Sequence, residues 1–400
     1  MKTITDKRIC TGCSACYASC PNGSIEMVYD NQGFLYPEIL GNCIDCGKCQ
    51  RVCPRLNQAD FSTKFSQTAY AAVSKDFKIW NRSSSGGAFS EICFAWGADN
   101  TMFCGALWDK LSVKHVCVIG IDKIAPLCKS KYVSSDLENC HKQIREHLGK
   151  GYKVLFCGTP CQVAGLKSFL NRDYDNLLLI DLICHGVGSP AVFSECIKST
   201  EKDFHKKIAS YEFRSKKKVF DQDHIVKLVF EGDTQPTYIT EDRYLQLFVK
   251  QHCLKSSCGE NCIYRNEHRQ GDITIGDFKG LTKVFPQLDG SKKNYSTIVF
   301  NTQKGEKVFS KLKGRMDMLP CSVEDIKQYN PLFHRHTYFS VQRNNFFNDF
   351  IVDAQGAIEK WTVPAKVYTK SLKGKVFDIL PQGVRRYFNK RRNLWLTKKD

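Results

Sequence analysis

The sequence lacks several features that would indicate a membrane or nucleic-acid protein. No apolar run approaches the ~18 to 20 residues that a spanning helix needs. The first residues, MKTITDKRIC, lack the apolar central region of a secretory signal peptide. No nucleic-acid-reading motif accompanies the many basic residues. These absences predict a cytoplasmic protein and argue against nucleic acid as a partner.

Cysteine, by contrast, is abundant, with 21 in 400 residues. A chain of this length is expected to form two or three domains, and any of them beyond the smallest could bury a hydrophobic core. Disulfides are therefore not needed to hold small folds together. In a reducing compartment, this cysteine content indicates metal or redox chemistry.

The formal net charge of +18 is unevenly distributed. Residues 365–400 hold eleven Lys or Arg against Asp378 and Asp400, interleaved with apolar and aromatic residues. This basic tail predicts binding to an acidic protein or to an anionic membrane surface, which would make the protein peripheral to the inner face of the membrane. The alternative is a solvated basic helix that ends a domain.

Residues 1–56 contain one cysteine pattern twice. CTGCSACYASCP and CIDCGKCQRVCP each space four cysteines by two, two and three residues and end in proline. In two-cluster ferredoxins, three cysteines of each run bind one [4Fe–4S] cluster and the fourth binds the other. Tetrahedral zinc, which also uses Cys-x-x-Cys pairs, is the alternative. The predicted ligands are Cys10, Cys13, Cys16 and Cys53 for the first cluster, and Cys43, Cys46, Cys49 and Cys20 for the second.

After a polar linker, strand-like and helix-like segments alternate. SSDLENCHKQIREHLGKG has the Ser/Asp start and the glycine stop of an amphipathic helix. KVLFC, PCQVAGLKSFL and NLLLIDLIC form a β-α-β run, and IVKLVF, DITIGDF and STIVFNT add strands. We predict an α+β or α/β fold, in which a two-[4Fe–4S] ferredoxin module precedes a larger α/β body with a mixed sheet. The predicted boundaries are 1–56 for the ferredoxin, 57–67 for the linker, 68–150 and 151–364 for the two parts of the body, and 365–400 for the basic tail.

The β-α-β run contains two cysteines with unequal predicted roles. Cys157 closes the first strand and is expected to pack in the interior. Cys161 follows Pro160 at the start of the helix, where the helix dipole stabilises a thiolate. Cys184 follows the second strand, and the carboxyl ends of parallel strands share one edge of a sheet. Cys161 and Cys184 are therefore expected to meet at that edge.

A later segment supplies partners for this pair. CLKSSCGENC places Cys253, Cys258 and Cys262 before the strand-like DITIGDF. Cys258 and Cys262 would complete a third four-cysteine site with Cys161 and Cys184, although cysteine is also common as a small buried hydrophobe. That second role, packing without partners, is predicted for Cys93, Cys104, Cys117, Cys128, Cys140, Cys196 and Cys321.

The ordered motifs SSSGGAFSE, KSKYVSSD, GTPCQVAGL, DLICHG and DITIGDF resemble the β-subunit family of coenzyme F420 hydrogenase and dehydrogenase. Bacterial members commonly carry an N-terminal two-cluster ferredoxin. The resemblance implies a flavin-binding body, usually with FAD rather than FMN, and a [4Fe–4S] cluster on the third cysteine site. The family usually separates Cys258 and Cys262 by two residues, whereas three stand here, so Cys253 is a candidate substitute ligand. Lys279 replaces an aromatic residue of the family.

The turn RSSSGG offers hydroxyls and backbone N–H groups at a helix start, which suits a pyrophosphate, although a simple helix cap is the alternative. The predicted catalytic residues are Lys131, as a cation beside a reduced flavin, and His185, as a proton donor. A histidine that only hydrogen-bonds its loop is the alternative for His185. In the context of the resemblance, the predicted flavin-binding residues are Ser84, Ser85, Gly86, Gly87, Ser130, Lys131, Tyr132, Thr159 and Gln162.

Together these features predict an iron–sulfur flavoprotein oxidoreductase. Clusters pass single electrons, flavins accept one or two, and organic substrates usually need two. The predicted partners are an electron carrier, such as ferredoxin or the deazaflavin coenzyme F420, and a small organic substrate. The alternatives are a non-catalytic electron-transfer subunit of a larger redox complex and a zinc-stabilised binding module with a basic tail.

Overall fold

The computed structural model of the protein describes residues 4–57, 65–97, 99–216, 225–291, 293–335 and 338–368. Residues 369–400, most of the predicted basic tail, lie outside the described residues. The acidic protein or anionic membrane predicted as its partner therefore stays a prediction. Within the described ranges, no helix combines the length and the apolar character that a membrane crossing requires.

The N-terminal segment is built on its two cysteine loops. The helices α1 (Ala15–Ser19) and α2 (Lys48–Arg51) each follow one loop, and an antiparallel hairpin of β1 (Ile25–Tyr29) and β2 (Leu35–Ile39) joins them. Both helices are about one turn long, so the loops rather than regular structure position most of the cysteines.

The strands of the body confirm the alternating pattern predicted from the sequence. They are β3 (Thr68–Ser74), β4 (Met102–Asp109), β5 (Ser112–Ile119), β6 (Val154–Gly158), β7 (Leu177–Leu182), β8 (Ile208–Glu212), β9 (Val226–Phe230), β10 (Thr237–Thr240), β11 (Ile273–Asp277), β12 (Ser296–Phe300), β13 (Met316–Cys321) and β14 (Lys366–Val367).

An eight-stranded sheet in the order β13-β3-β12-β11-β7-β6-β4-β5 forms the centre of the body. Its neighbours β4, β6, β7 and β11 are parallel, whereas the pairs β4–β5, β11–β12, β12–β3 and β3–β13 are antiparallel. The parallel strands VLFCG and LLLIDL are apolar along most of their length, because both of their faces are covered. This mixed sheet confirms the predicted fold class.

The helices of the body cover both faces of this sheet. One face carries α4 and α11, and the other carries α5 and α6, against which α1 packs. The helices are α3 (Phe77–Asn81), α4 (Ala88–Trp96), α5 (Cys140–Gly149), α6 (Pro160–Leu170), α7 (Pro190–Phe204), α8 (Arg243–Val249), α9 (Leu281–Val284), α10 (Gln303–Glu306), α11 (Phe309–Arg315), α12 (Val323–Tyr329), α13 (Val341–Val352) and α14 (Ala354–Trp361).

A second sheet, in the order β14-β10-β9-β8, packs with α7, α8, α13 and α14 into a separate apolar core. The N-terminal hairpin contributes Phe34 to this core, and the centre of its ring lies 6.2 Å from that of Phe347. The N-terminal segment therefore contacts the body through both α1 and its hairpin.

One predicted helix start is wrong. The segment SSDLENCHKQ favours a helix beginning near Ser135 and Asp136, but α5 begins at Cys140. The backbone carbonyl of Asp136 instead accepts a hydrogen bond from the N–H of His115 on β5, at 2.7 Å. Pairing with the edge of the sheet therefore holds this stretch extended, and the helix starts only after it.

Candidate functional site

The predicted site residues gather at the edge of the large sheet where its parallel strands end. β6 leads into Cys161 and β7 leads into Cys184. β3 ends at the same edge, because Ala72 lies opposite Ser296 at the start of β12. The loop of residues 83–87 returns to this point, since the carbonyl of Gly86 accepts a hydrogen bond from the N–H of Ser74 at 2.7 Å.

Cys161 lies in the first turn of α6, as predicted. Thr159 and Gln162 form a capping box, and Pro160 takes the first helical position. The hydroxyl of Thr159 lies 3.1 Å from the sulfur of Cys161. The expected thiolate stabilisation by the helix dipole is outweighed, however, because burial raises the pKa of Cys161 well above its usual range. The thiol would have to lose its proton to bind a metal.

Four predicted ligands line one cleft, namely Cys161, Cys184, Cys258 and Cys262. Burial raises the pKa of Cys258 to about 12. Burial also raises the pKa of Cys184, against the opposing charge of Arg265. The backbone N–H of Gly186 donates to the sulfur of Cys184 at 3.3 Å, an interaction that commonly tunes cluster ligands.

The proposed substitute ligand Cys253 lies elsewhere. Its side chain is fully buried in the core of the second sheet, close to Cys196 and Tyr244, and it does not line the cleft. Cys258 ends the 3₁₀ turn Ser256–Cys258, and a bend and turn at residues 259–261 lead from it to Cys262. The structure therefore brings Cys262, and not Cys253, to the other three cysteines.

The eight N-terminal cysteines fall into the two predicted groups. Cys20 lines a cleft with the three cysteines of the second run, Cys43, Cys46 and Cys49. Cys53 lies near the three of the first run and raises the pKa of Cys10, Cys13 and Cys16 through its charge, in addition to the larger effect of burial. The fourth cysteine of each run thus crosses to the other group.

Distances between cysteine sulfur atoms help to distinguish a zinc site from an iron–sulfur cluster. Among the described residues, only Cys104, Cys117 and Cys140 place three potential ligand atoms within 4.8 Å of one another. A single tetrahedral ion with bonds of about 2.3 Å would hold its sulfur atoms about 3.8 Å apart. Among the described residues, no three of the twelve predicted iron ligands place their sulfur atoms within 4.8 Å of one another. The prediction that Cys104, Cys117 and Cys140 lack partners is wrong.

The first N-terminal cysteine loop forms part of the wall of the third site. Thr11 and Gly12, between the ligands Cys10 and Cys13, line the cleft of the third cysteine group. Helix α6 approaches the same loop closely, since a Cβ atom at Gly165 would lie 2.7 Å from the Cβ of Cys13. Gly165, the second glycine of GTPCQVAGL, therefore permits the contact between the two sites.

Lys255 lies between the two sites. Its side chain is fully buried, its Nζ lies 3.5 Å from the centre of the Tyr36 ring, and it donates a hydrogen bond to the carbonyl of Leu35 at 3.0 Å. Burial lowers the pKa of Lys255 to about 8, against the opposing effect of Cys10 and Cys258. This lysine is thus within electrostatic reach of one predicted ligand from each site.

Two of the predicted flavin loops meet. The hydroxyl of Ser84 accepts hydrogen bonds from the N–H of Ser130 at 2.8 Å and from its hydroxyl at 3.1 Å. Gly87 begins α4 with a left-handed backbone, φ 96°, and provides no side-chain cap. The first N–H groups of α4 thus receive no cap from the side chain of Gly87, an arrangement that suits an anionic acceptor.

Other predicted flavin residues already hold the loops in place. Ser85 donates to the carbonyl of Tyr295 at 2.8 Å, and the N–H of Gly86 donates to Ser296 at 2.9 Å. The ammonium group of Lys131 donates to the carbonyls of Pro126 and Cys128, at 3.0 and 2.5 Å. Burial lowers the pKa of Lys131 to about 8. These bonds make Lys131 a loop anchor as well as a nearby cation.

Tyr132 and His185 flank one phenylalanine. The Tyr132 ring stacks on Phe248 with 4.8 Å between centres, and the His185 ring lies 5.1 Å from Phe248. Burial lowers the pKa of His185, and the charge of Arg265 lowers it further, so the imidazole is neutral. Its buried Nε2 has no hydrogen-bond partner among the described residues.

Sequence reasoning missed a basic group beside the serine loop. Arg214 pairs with Asp277 at 2.8 Å, and Lys216 lies 4.1 Å from the centre of the Trp80 ring and donates to the carbonyl of Ser85. Burial lowers the pKa of Lys216 to about 7. The basic run RSKKK and the aspartate of DITIGDF were the available signals, but only the fold shows that they meet.

A cysteine-loop unit docked on a mixed-sheet body with a third cysteine group is the arrangement of an iron–sulfur protein. Residues 9–57 match the family described as "4Fe-4S dicluster domain". Residues 151–325 match the family described as the C terminus of "Coenzyme F420 hydrogenase/dehydrogenase, beta subunit". Residues 151–325 thus match the F420 hydrogenase β-subunit family model and residues 9–57 match a 4Fe–4S domain, which confirms the predicted resemblance.

Two curated relatives come from Methanocaldococcus jannaschii. A coenzyme F420-dependent sulfite reductase is 22% identical over 370 residues, covering 88% of this chain and 53% of that protein. The chain thus spans about half the length of this relative. An uncharacterised ferredoxin is 33% identical over 54 residues, covering 14% of this chain and 70% of that protein.

A solved structure with a similar chain is the F420-reducing [NiFe] hydrogenase complex from Methanosarcina barkeri. The similarity has a TM-score of 0.45 and a sequence identity of 16%, and it covers 76% of this chain and 94% of that one.

Proposed function

We propose that this protein is an iron–sulfur flavoprotein oxidoreductase that passes electrons between its ferredoxin-type clusters and an organic two-electron partner. The observation that carries the proposal is the shared wall between two cysteine groups, in which Thr11 and Gly12 of the first loop line the cleft of the third site. A third [4Fe–4S] cluster on Cys161, Cys184, Cys258 and Cys262 would lie next to the first, with Lys255 between them.

The residues beside the third site fit a flavin. Ser84 and Ser130 join two loops at the uncapped start of α4, where an anionic pyrophosphate would find N–H donors. Lys216 and the Arg214–Asp277 pair lie beside the same loop, and an anionic group bound there would favour the protonated form of Lys216. When bound, a flavin would couple the one-electron chemistry of clusters to the two-electron needs of an organic molecule.

His185 has a separate role in this proposal. Its imidazole is neutral, and its Nε2 is buried without a partner among the described residues. It directly follows the proposed ligand Cys184. His185 would relay a proton between solvent and a reacting group, while Lys131 holds the neighbouring loop and supplies positive charge.

The relatives suggest coenzyme F420 as the two-electron partner, with ferredoxin as a one-electron carrier. A second candidate function, a non-catalytic electron-transfer subunit, rests on one observation. The chain spans about half of the sulfite reductase that it matches, so the activity in that protein's name belongs to the larger whole.

Anaerobic purification followed by iron and flavin analysis tests the proposal. We expect about twelve irons, in three four-iron clusters, and one flavin per chain. Reduced F420 should then bleach the flavin absorption. About eight irons without flavin would favour the electron-transfer subunit, and zinc in place of iron would overturn both functions.

Lys255→Met is expected to lower the reduction potentials of both the first and the third cluster. Lys255 supplies a buried positive charge that stabilises an added electron on either side. At a separation of ~7 Å and an effective dielectric constant of ~20, the loss is roughly 2 kcal/mol, or on the order of 100 mV. Redox titration followed by electron paramagnetic resonance measures both potentials.

Lys7→Met is the matched control for this change. Lys7 also lies over the Tyr36 ring, at 5.2 Å, but its side chain is exposed. Solvent and salt screen its charge, so the potentials should stay close to those of the unaltered protein. Equal shifts in the two variants would remove Lys255 from its proposed role.

Ser84→Ala is expected to weaken flavin binding roughly tenfold, a cost of about 1.4 kcal/mol, because it removes the hydroxyl that joins the two loops. Titration of flavin into deflavinated protein measures the affinity. Ser83→Ala is the control, since its buried hydroxyl donates only to the carbonyl of Ile79, at 2.7 Å. If both variants bind like the unaltered protein, the flavin lies elsewhere.

A further inference from the structure

Three cysteines outside the cluster sites converge from three elements of the body. Cys104 and Cys117 lie opposite each other on β4 and β5, and Cys140 is the first residue of α5. The sulfur of Cys117 lies 2.6 Å from that of Cys104 and 3.4 Å from that of Cys140. We propose that these three thiols bind one zinc ion, separately from the iron–sulfur clusters.

The sulfur atoms are too close together for a four-iron cube. All three lie within 4.8 Å of one another, and thiolates around one tetrahedral zinc are about 3.8 Å apart. The sulfur atoms of Cys104 and Cys117, at 2.6 Å, are closer than that, so zinc binding requires them to move apart. A four-iron cube would spread its ligands across its own width. Zinc prefers thiolate ligands, and sites with three protein ligands and one solvent molecule are common for this metal.

The third thiol distinguishes a metal site from simpler arrangements. A disulfide between Cys104 and Cys117 would need only two cysteines, yet Cys140 reaches the same point from a different element. Cysteines that merely fill a core would have no reason to converge sulfur to sulfur from a hairpin and a helix. The convergence of three is what a metal ion requires.

The three cysteines differ in their burial, which shows the side of the site that faces solvent. Cys104 and Cys140 are buried, and Cys117 is partly exposed. In the described part of the chain, no fourth His, Cys, Asp or Glu joins them within 4.8 Å. The fourth position is therefore open to water on the side of Cys117.

The location gives this ion a structural role. It would fasten the β4–β5 hairpin to the start of α5, one of the two helices against which the ferredoxin helix α1 packs. Next to Cys140, Asn139 accepts a hydrogen bond from the hydroxyl of Tyr17 on α1 at 3.5 Å. The Nζ of Lys142 lies 5.1 Å from the centre of the Tyr17 ring. The ion would hold the docking surface of the ferredoxin.

Metal analysis and zinc-edge X-ray absorption of the anaerobically purified full chain test the proposal. The absorption edge sees zinc alone, so the iron clusters do not interfere. We expect one zinc per chain with three sulfur atoms at about 2.3 Å and one lighter atom at about 2.0 Å. Absence of zinc, or four sulfur neighbours as in a mismetallated cluster site, would overturn the proposal.

Variants locate the ion independently. Cys117→Ser and Cys140→Ser should each abolish the zinc while leaving the iron content unchanged. Cys196→Ser, at a buried cysteine outside the group, should retain it. A mass two hydrogens lighter, mapped to a bond between Cys104 and Cys117, would instead show a disulfide. If the variants fail to fold, the absorption spectrum of the unaltered protein decides alone.

Discussion

Cys161→Ser and Cys184→Ser are each expected to remove one complete cluster, lowering the iron content from about twelve atoms to about eight. Both cysteines line the cleft of the third site, and the pKa of each thiol is raised mainly by burial. A serine hydroxyl is a far weaker ligand than a thiolate at neutral pH. Iron analysis of anaerobically purified variants measures the loss.

Two neighbouring cysteines provide controls. Cys157→Ser changes a residue that lies four positions before Cys161 and does not line the cleft. Cys253→Ser changes the candidate substitute ligand, which is fully buried in the core of the second sheet. Both variants should keep about twelve irons. A four-iron loss in Cys253→Ser, with Cys262→Ser unaffected, would reverse the ligand assignment.

The cluster-removing variants should also differ from the unaltered protein in their electron transfer. Without the third cluster, the two N-terminal clusters keep their ligands but lose their neighbour across Thr11 and Gly12. We therefore expect the N-terminal clusters of Cys161→Ser to be reduced by dithionite but no longer by reduced F420. Unaltered reduction by F420 would show that electrons take another route.

The local chemistry of the site was predictable wherever one short segment carries it. The doubled cysteine run has a fixed spacing, and the order strand, Pro160, Cys161 follows from the rules for parallel strands and helix starts. The structure places Cys161 and Cys184 on one cleft, as those rules require. Such features depend on few residues, so sequence alone determines them.

Features that depend on distant segments were not predictable in the same way. Cys104, Cys117 and Cys140 meet because the register of the β4–β5 hairpin pairs the first two and α5 begins beside them. The spacing of cysteines along the sequence predicts neither the register nor the helix start. Lys255 reads as one more basic residue until the fold buries it against Tyr36. The predicted start of α5 was wrong for a related reason, since pairing with β5 overrides the helix-start signal of the Ser/Asp segment.

Asp181→Asn is expected to destabilise the protein by about 3 to 5 kcal/mol, because it leaves a buried arginine without its charge partner. Asp181 is fully buried at the end of β7, and its carboxylate pairs with Arg269 at 3.2 Å. It also accepts hydrogen bonds from the N–H groups of Gln270 and Gly271, at 2.8 and 3.1 Å. Urea-induced unfolding followed by circular dichroism under anaerobic conditions measures the change.

The same substitution should reach the candidate site, because Arg269 lines the cleft of the third cysteine group and donates to the carbonyl of Leu182, two residues before Cys184. We expect slower cluster assembly as well as lower stability. Asp6→Asn breaks an exposed pair with Arg8 and should leave the urea midpoint unchanged. The double variant Asp181→Asn/Arg269→Met should recover much of the loss, since it leaves no buried charge unpaired. A double variant less stable than the single one would show that the hydrogen bonds to the carboxylate, rather than the ion pair, hold this edge of the sheet together.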